Sequence, residues 1–124
     1  MALRIQLAAD TPDNRVLFQR LAVITHALDH VRGDGLPETK YNESLEELDA
    51  SIIEALQADE AGVVCLVETV AGERSYYAYV KLRDHGRQAM TAVASRFPEA
   101  RLSLSGRSDP EWGLLREYRE RYPW

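Results

Sequence analysis

The chain has 124 residues, 45% of them hydrophobic and 28% charged, a formal net charge of −5 and one cysteine. That length suffices for one core without disulfides or metals, the composition argues against disorder, and no apolar run approaches the roughly 20 residues of a membrane span. A net-acidic chain lacks the attractive field behind most non-specific phosphate affinity, so DNA is not an expected partner.

The charge is uneven: residues 1–62 hold 12 acids against 5 bases, and residues 63–124 hold 8 acids against 10 bases. Met1 to Leu7 has no extended apolar core and no cleavage-site pattern, so no secretion signal is expected. The lone Cys65 sits in the apolar run Val63-Val64-Cys65-Leu66-Val67 and reads as a buried, inert thiol. A reducing compartment, the cytoplasm, follows as the expectation.

Leu3, Ile5 and Leu7 alternate with polar or small neighbours and predict a short strand. Asp10 to Asn14 reads as a turn cluster, and residues 16–29 as one long strand whose first part folds back on Leu3–Leu7. Gly33-Asp34-Gly35-Leu36-Pro37 is a loop. From about Glu38 to Ala58 the pattern is helical, with Leu45, Leu48, Ile52 and Leu56 on one stripe and Ser44 and Glu47 at capping-box spacing.

Val63–Val70 and Arg74–Leu82 are β-rich runs around a tight turn at Ala71-Gly72-Glu73. Asp84 can cap a helix running to Phe97, buried through Ala89, Met90, Val93 and Phe97. Ala100–Ser105 reads as a last strand. Asp109 and Pro110 then open a C-terminal helix carrying Trp112, Leu115, Tyr118 and Tyr122 at near-helical spacing. The fold class expected is α+β: a ferredoxin-like βαββαβ plait with an antiparallel sheet, an N-terminal strand arm (residues 1–19) and an extra C-terminal helix, residues 20–124 being one domain.

Along Ser75 to Leu82 successive side chains point to opposite sheet faces. Tyr76, Ala78, Val80 and Leu82 suit the helix-covered face, which leaves Tyr77, Tyr79 and Lys81 on the other. Tyr77-Ala78-Tyr79-Val80 echoes the stacking strand of RNA-recognition modules, but Ser75 and Tyr76 stand where a base and a glycine belong. The candidate binding surface is therefore Tyr77, Tyr79, Lys81, Trp112 and Tyr118, with packing beneath the C-terminal helix as its first expected use. His26 and His30 on one strand would be roughly 13 Å apart, too far to share a metal. His85, in a first helical turn, is expected to be exposed. Along the last helix, Arg116–Glu120 and Glu117–Arg121 have the spacing of exposed ion pairs. No spacing suggests a catalytic residue, a metal or a cofactor.

Gly35-Leu36-Pro37 before a helix, Tyr76-Tyr77-Ala78-Tyr79-Val80 after the hairpin turn, and Asp109-Pro110-Glu111-Trp112 followed by Tyr118 together resemble a bacterial family, domain of unknown function 695. The resemblance covers roughly residues 20–122. It implies a small bacterial protein, in some members joined to a domain like the protein inhibitor of ribonuclease E, which also has a ferredoxin-like plait. It supplies no catalytic residues. The function expected first is a non-catalytic protein-binding or regulatory module, its partner another protein or a second copy of itself. A small-ligand or enzyme pocket between the C-terminal helix and the Tyr77/Tyr79 face, with Arg74 or Lys81 at its rim, is the second reading. Single-stranded RNA binding is the third.

Overall fold

The computed structural model describes residues 2–6, 9–28 and 45–121. Its elements are β1 (Ala2–Ile5), α1 (Pro12–Leu17), β2 (Arg20–Ala27), α2 (Glu46–Gln57), β3 (Gly62–Val70), β4 (Glu73–Val80), α3 (His85–Arg96), β5 (Arg101–Ser108) and α4 (Gly113–Arg121). The five strands form one sheet in the order β1-β3-β4-β2-β5, and every neighbouring pair is antiparallel. The architecture is α+β, as expected.

Alternation along the strands sorts the apolar residues into two cores. Ile24, Tyr76, Ala78 and Val80 face Ile52 and Leu56 of α2 and Val93 of α3. Leu21, Leu66 and Tyr79 point the other way, onto Phe18, Trp112 and Leu115. The predicted α2 stripe of Leu45, Leu48, Ile52 and Leu56 is buried throughout. A β-bulge lets the continuous run of β3 serve both layers. Val64 pairs with Ala78 and Leu66 with Tyr77, so Cys65 is the extra residue. Val64 and Val67 consequently enter the first core, while Cys65 and Leu66 both enter the second.

The hairpin closes through Ala71 (φ 53°) and Gly72 (φ 79°), the two left-handed residues that match the twist of antiparallel strands. Gly62, at the start of β3, is held by space instead. A Cβ there would lie 2.6 Å from the Leu56 carbonyl oxygen and 2.8 Å from Val80 Cγ1. Gly62→Ala is expected to lower stability by about 1–3 kcal/mol in urea denaturation. An unchanged midpoint would mean that the end of α2 can move away freely.

Four expectations need correction. Residues 12–17 are helix, where a turn through Asn14 and a strand from residue 16 were expected: Thr11 accepts a hydrogen bond from the Asn14 amide at 3.1 Å, Pro12 opens the helix, and Val16 and Leu17 face solvent. β2 therefore starts at Arg20, and β1 pairs with β3 instead of folding against β2. Leu82 lies beyond β4 and is 67% exposed, not on the helix-covered face. Asp84 precedes α3 without a side-chain cap and pairs with Arg87 at 3.1 Å. The expectations for Leu7, His30, Gly33–Pro37, residues 38–44 with the Ser44 half of the capping box, and Tyr122 lie outside the described residues.

Candidate functional site

α4 and the turn before it lie across the face opposite α2 and α3. β5 ends at Ser108, and the Asp109 amide donates to the Gln19 carbonyl at 2.8 Å. Pro110 to Trp112 make a turn in which the Trp112 amide donates back to the Asp109 carbonyl at 3.1 Å. Trp112 itself is left-handed (φ 57°), so α4 starts at Gly113, three residues after the position expected for Pro110. The capping role of Asp109 is real, but it works across that turn: its carboxylate accepts the Gly113 and Leu114 amides at 2.8 and 3.1 Å.

The turn drops the indole onto Tyr79. Their rings stack with centroids 4.2 Å apart and planes 5° apart, and both residues have zero exposure. Trp112 Nε1–H donates to the Phe18 carbonyl at 2.8 Å, and the Tyr79 hydroxyl donates to Asp109 at 2.7 Å. Burial pushes the Tyr79 phenol well above its ordinary range, and its bond to Asp109 adds to the effect. Burial also raises Asp109, but hydrogen bonds from Tyr79, Leu114 and Gly113 outweigh it and hold the carboxyl below its usual value.

At the far end of α4 the Tyr118 ring lies 5.8 Å from that of Tyr77. Tyr118 and Tyr77 donate to the two oxygens of Glu68, at 3.0 and 3.4 Å. Desolvation raises Tyr118, and the Tyr77 hydroxyl raises it further. Lys81 is exposed, its ammonium 5.6 Å from the Phe18 ring centroid. All five candidate residues thus share one face, where Tyr79 and Trp112 occupy each other's ring surface. A nucleobase or planar ligand could stack on Tyr79 only by displacing the indole. Arg74, the other proposed rim residue, lies elsewhere, beside Asp49 and Thr69.

The rest of the chemistry is mostly structural. Asp10, with its carboxylate 7% exposed, binds Arg15 of α1 through both oxygens and Arg119 of α4 at 2.9 Å. The Arg15 hydrogen bond lowers its pKa first, and the Arg119 charge assists. Arg116 reaches back to the Glu111 carbonyl. Cys65 is buried and its thiol is pushed up to about 12 by desolvation, as an inert core cysteine should be. His85 is buried, not exposed: its Nε2–H donates at 2.7 Å to the Leu56 carbonyl, an acceptor in the last turn of α2. Among the described residues no group of three metal-binding side chains occurs, and no helix is long and apolar enough to cross a membrane.

Sequence reasoning missed a cavity of about 330 Å³ whose lining joins Leu3 and Val67 to the polar residues Arg4, Asp49, Thr69 and Arg74. Asp49 accepts from Arg4 and from the buried Tyr76 hydroxyl, both at 2.9 Å. One carboxylate holding together β1, β4 and α2 reads as a structural tie between layers. It also missed the character of β5. Among the described residues this eight-residue strand ends the sheet, and seven of its eight residues are exposed. A second cavity of about 240 Å³, lined by Arg20, Arg83, Gly86, Leu104 and Gly106, opens beside it.

A family model matches residues 1–118, nearly the whole chain. The chain belongs to DUF695, a family of unknown function. The match takes in the N-terminal arm, β1 included, which the earlier resemblance over residues 20–122 did not reach. No curated protein and no solved structure gives a significant match to this DUF695 chain.

Proposed function

We propose that this chain is a non-catalytic protein-binding or regulatory module built on a ferredoxin-like plait, and that it binds through β5. The order β3-β4-β2-β5, with α2 and α3 as crossovers on one face, is what two interlocked βαβ units produce, and it supports the plait reading. β1 and α4 are then additions. β1 extends the edge at β3, and α4 with its preceding turn fills the face that a plain plait leaves bare.

One observation carries the functional reading. The broad tyrosine face is filled by the chain's own C-terminal segment, while β5 presents a long exposed edge whose outward peptide groups can pair with another polypeptide. Proteins usually blunt such an edge with short strands, bulges, prolines or charged side chains; β5 has eight residues, no bulge and no proline, and Arg101 and Arg107 are its charged positions.

The test compares the wild-type chain with Ser108→Pro, which removes an outward amide and spares the β2 ladder. Wild-type chain is expected to self-associate or to retain a specific protein from lysate, with slowed amide exchange in β5. Ser108→Pro should lose the partner while keeping its thermal midpoint. A monomer that retains nothing, with the outward Leu102, Leu104 and Gly106 amides equally fast in buffer and in lysate, would contradict the reading.

A further inference from the structure

We infer that the occupant of the β5 edge is an extended acidic segment of another protein, added as a sixth strand with a carboxylate seated in the cavity between β2, β5 and α3. The inference rests on the protein-binding reading above and names the chemistry of the partner.

Charge is the first ground. Within a chain of net charge −5, residues 81–108 carry six bases against two acids, Asp84 and Glu99, and Asp84 is paired with Arg87. This stretch is α3, its leading turn and β5, so the sequence that carries the edge strand is net basic within an acidic chain. Arg107 stands near the end of β5 and is exposed.

Backbone direction is the second. Asp109 and Gln19 form a hydrogen-bonded pair in continuation of the β2–β5 register, and such pairs alternate along antiparallel strands. The peptide groups of Leu102, Leu104 and Gly106 consequently face away from β2, the side on which a further strand would add, and no described strand pairs with them there. Side chains at these even positions lie on the α3 side, where Gly106 has none and Gly86 opens the first turn of α3. The cavity of about 240 Å³ occupies that space. A side chain on the same face of an added strand would enter it and meet Arg20 and Arg83, with the positive end of the α3 dipole behind them. Asp84 makes no side-chain cap to those first-turn amides.

A second copy fits less well. A second β5 strand offers Leu102, Leu104, Gly106 and Ser108 at the even positions, and so no carboxylate for Arg20 and Arg83. A phosphodiester backbone fits less well again, because it cannot satisfy the alternating amides and carbonyls of a strand edge.

The experiment titrates the full-length chain into a fluorescein-labelled peptide of alternating Glu and Val and reads anisotropy. Three comparisons accompany it: the same peptide N-methylated at alternate residues, an alternating Lys-Val peptide, and single-stranded poly-uridylate. The Glu-Val peptide is expected to bind. N-methylation should weaken it roughly tenfold or more, Arg83→Glu about tenfold, and Lys-Val should not bind. Hydrogen exchange should slow at Leu102, Leu104 and Gly106 in the complex. Equal binding of the N-methylated peptide, equal binding of Lys-Val, displacement of the Glu-Val peptide by poly-uridylate from β5, or a stable β5-paired homodimer that excludes the peptide would each overturn the inference. If the Glu-Val peptide is ignored while a protein is still captured through β5, the acidic occupant is wrong and the protein-binding reading stands. If nothing ever protects β5, both fall.

Discussion

Trp112→Ala is expected to destabilise the chain by about 3–5 kcal/mol, the range for removing a large buried aromatic side chain. Three losses coincide. The indole is fully buried, it stacks on Tyr79 at 4.2 Å, and its N–H satisfies the Phe18 carbonyl at 2.8 Å. Phe18 ends α1, so this one side chain ties the N-terminal helix, the sheet and α4 together. Removing it also bares the Tyr79 ring, and the variant should expose apolar surface that binds a hydrophobic dye. Trp112→Phe should cost less, because it keeps ring contact and forfeits the hydrogen bond. Equal urea midpoints for wild type and Trp112→Ala would mean that α4 contributes little to the folded state.

Asp109→Ala should be the next most damaging change, at about 2–4 kcal/mol. The α4 amides of Gly113 and Leu114 lose their cap, a loss of roughly 0.5–2 kcal/mol. The Tyr79 hydroxyl, buried beneath the indole, loses its acceptor, and an unsatisfied buried donor costs about 1–3 kcal/mol. Asp109→Asn should recover part of this, since the amide oxygen still accepts. The pH dependence has a definite sign. Asp109 and Asp10 both have folded-state pKa values below their ordinary 3.8, so their contributions are present above that value and are lost as pH falls through the depressed folded values. Tyr79 and Tyr118 are raised above 10, so their contributions persist below pH 10 and are lost as pH rises beyond it. Thermal midpoints should therefore fall at both extremes, with a shallower acid limb in Asp109→Ala. An identical acid limb in the variant would contradict the assignment.

Much of this arrangement was legible along the chain. β4 alternates cleanly, so the split between Tyr76 and Ala78 on one face and Tyr77 and Tyr79 on the other follows from period alone. The α2 stripe and the capping character of Asp109 are equally local signals. What escaped is non-local or ambiguous. Val16 and Leu17 look like the start of a strand, yet the Thr11-Pro12 helix start prevails over them and leaves both in solvent. The bulge at Cys65 has no signature because an all-apolar run has no alternation to break. Trp112 adopts a left-handed backbone that a bulky residue seldom takes, which moves the start of α4. His85 is buried by a carbonyl 29 residues away, and nothing near it in sequence announces that partner. The edge position of β5, on which the binding proposal depends, is a property of strand order and has no local residue pattern.

The arrangement is most directly tested by residue-resolved hydrogen exchange on the free chain. The Gly113 and Leu114 amides, closed by Asp109, and the paired amides of β3 and β4 should exchange slowly, while Leu102, Leu104 and Gly106 exchange fast. Fast exchange at Gly113 and Leu114 together with slow exchange at Leu102, Leu104 and Gly106 would contradict it, because the tyrosine face would then be the open surface and the strand edge the closed one.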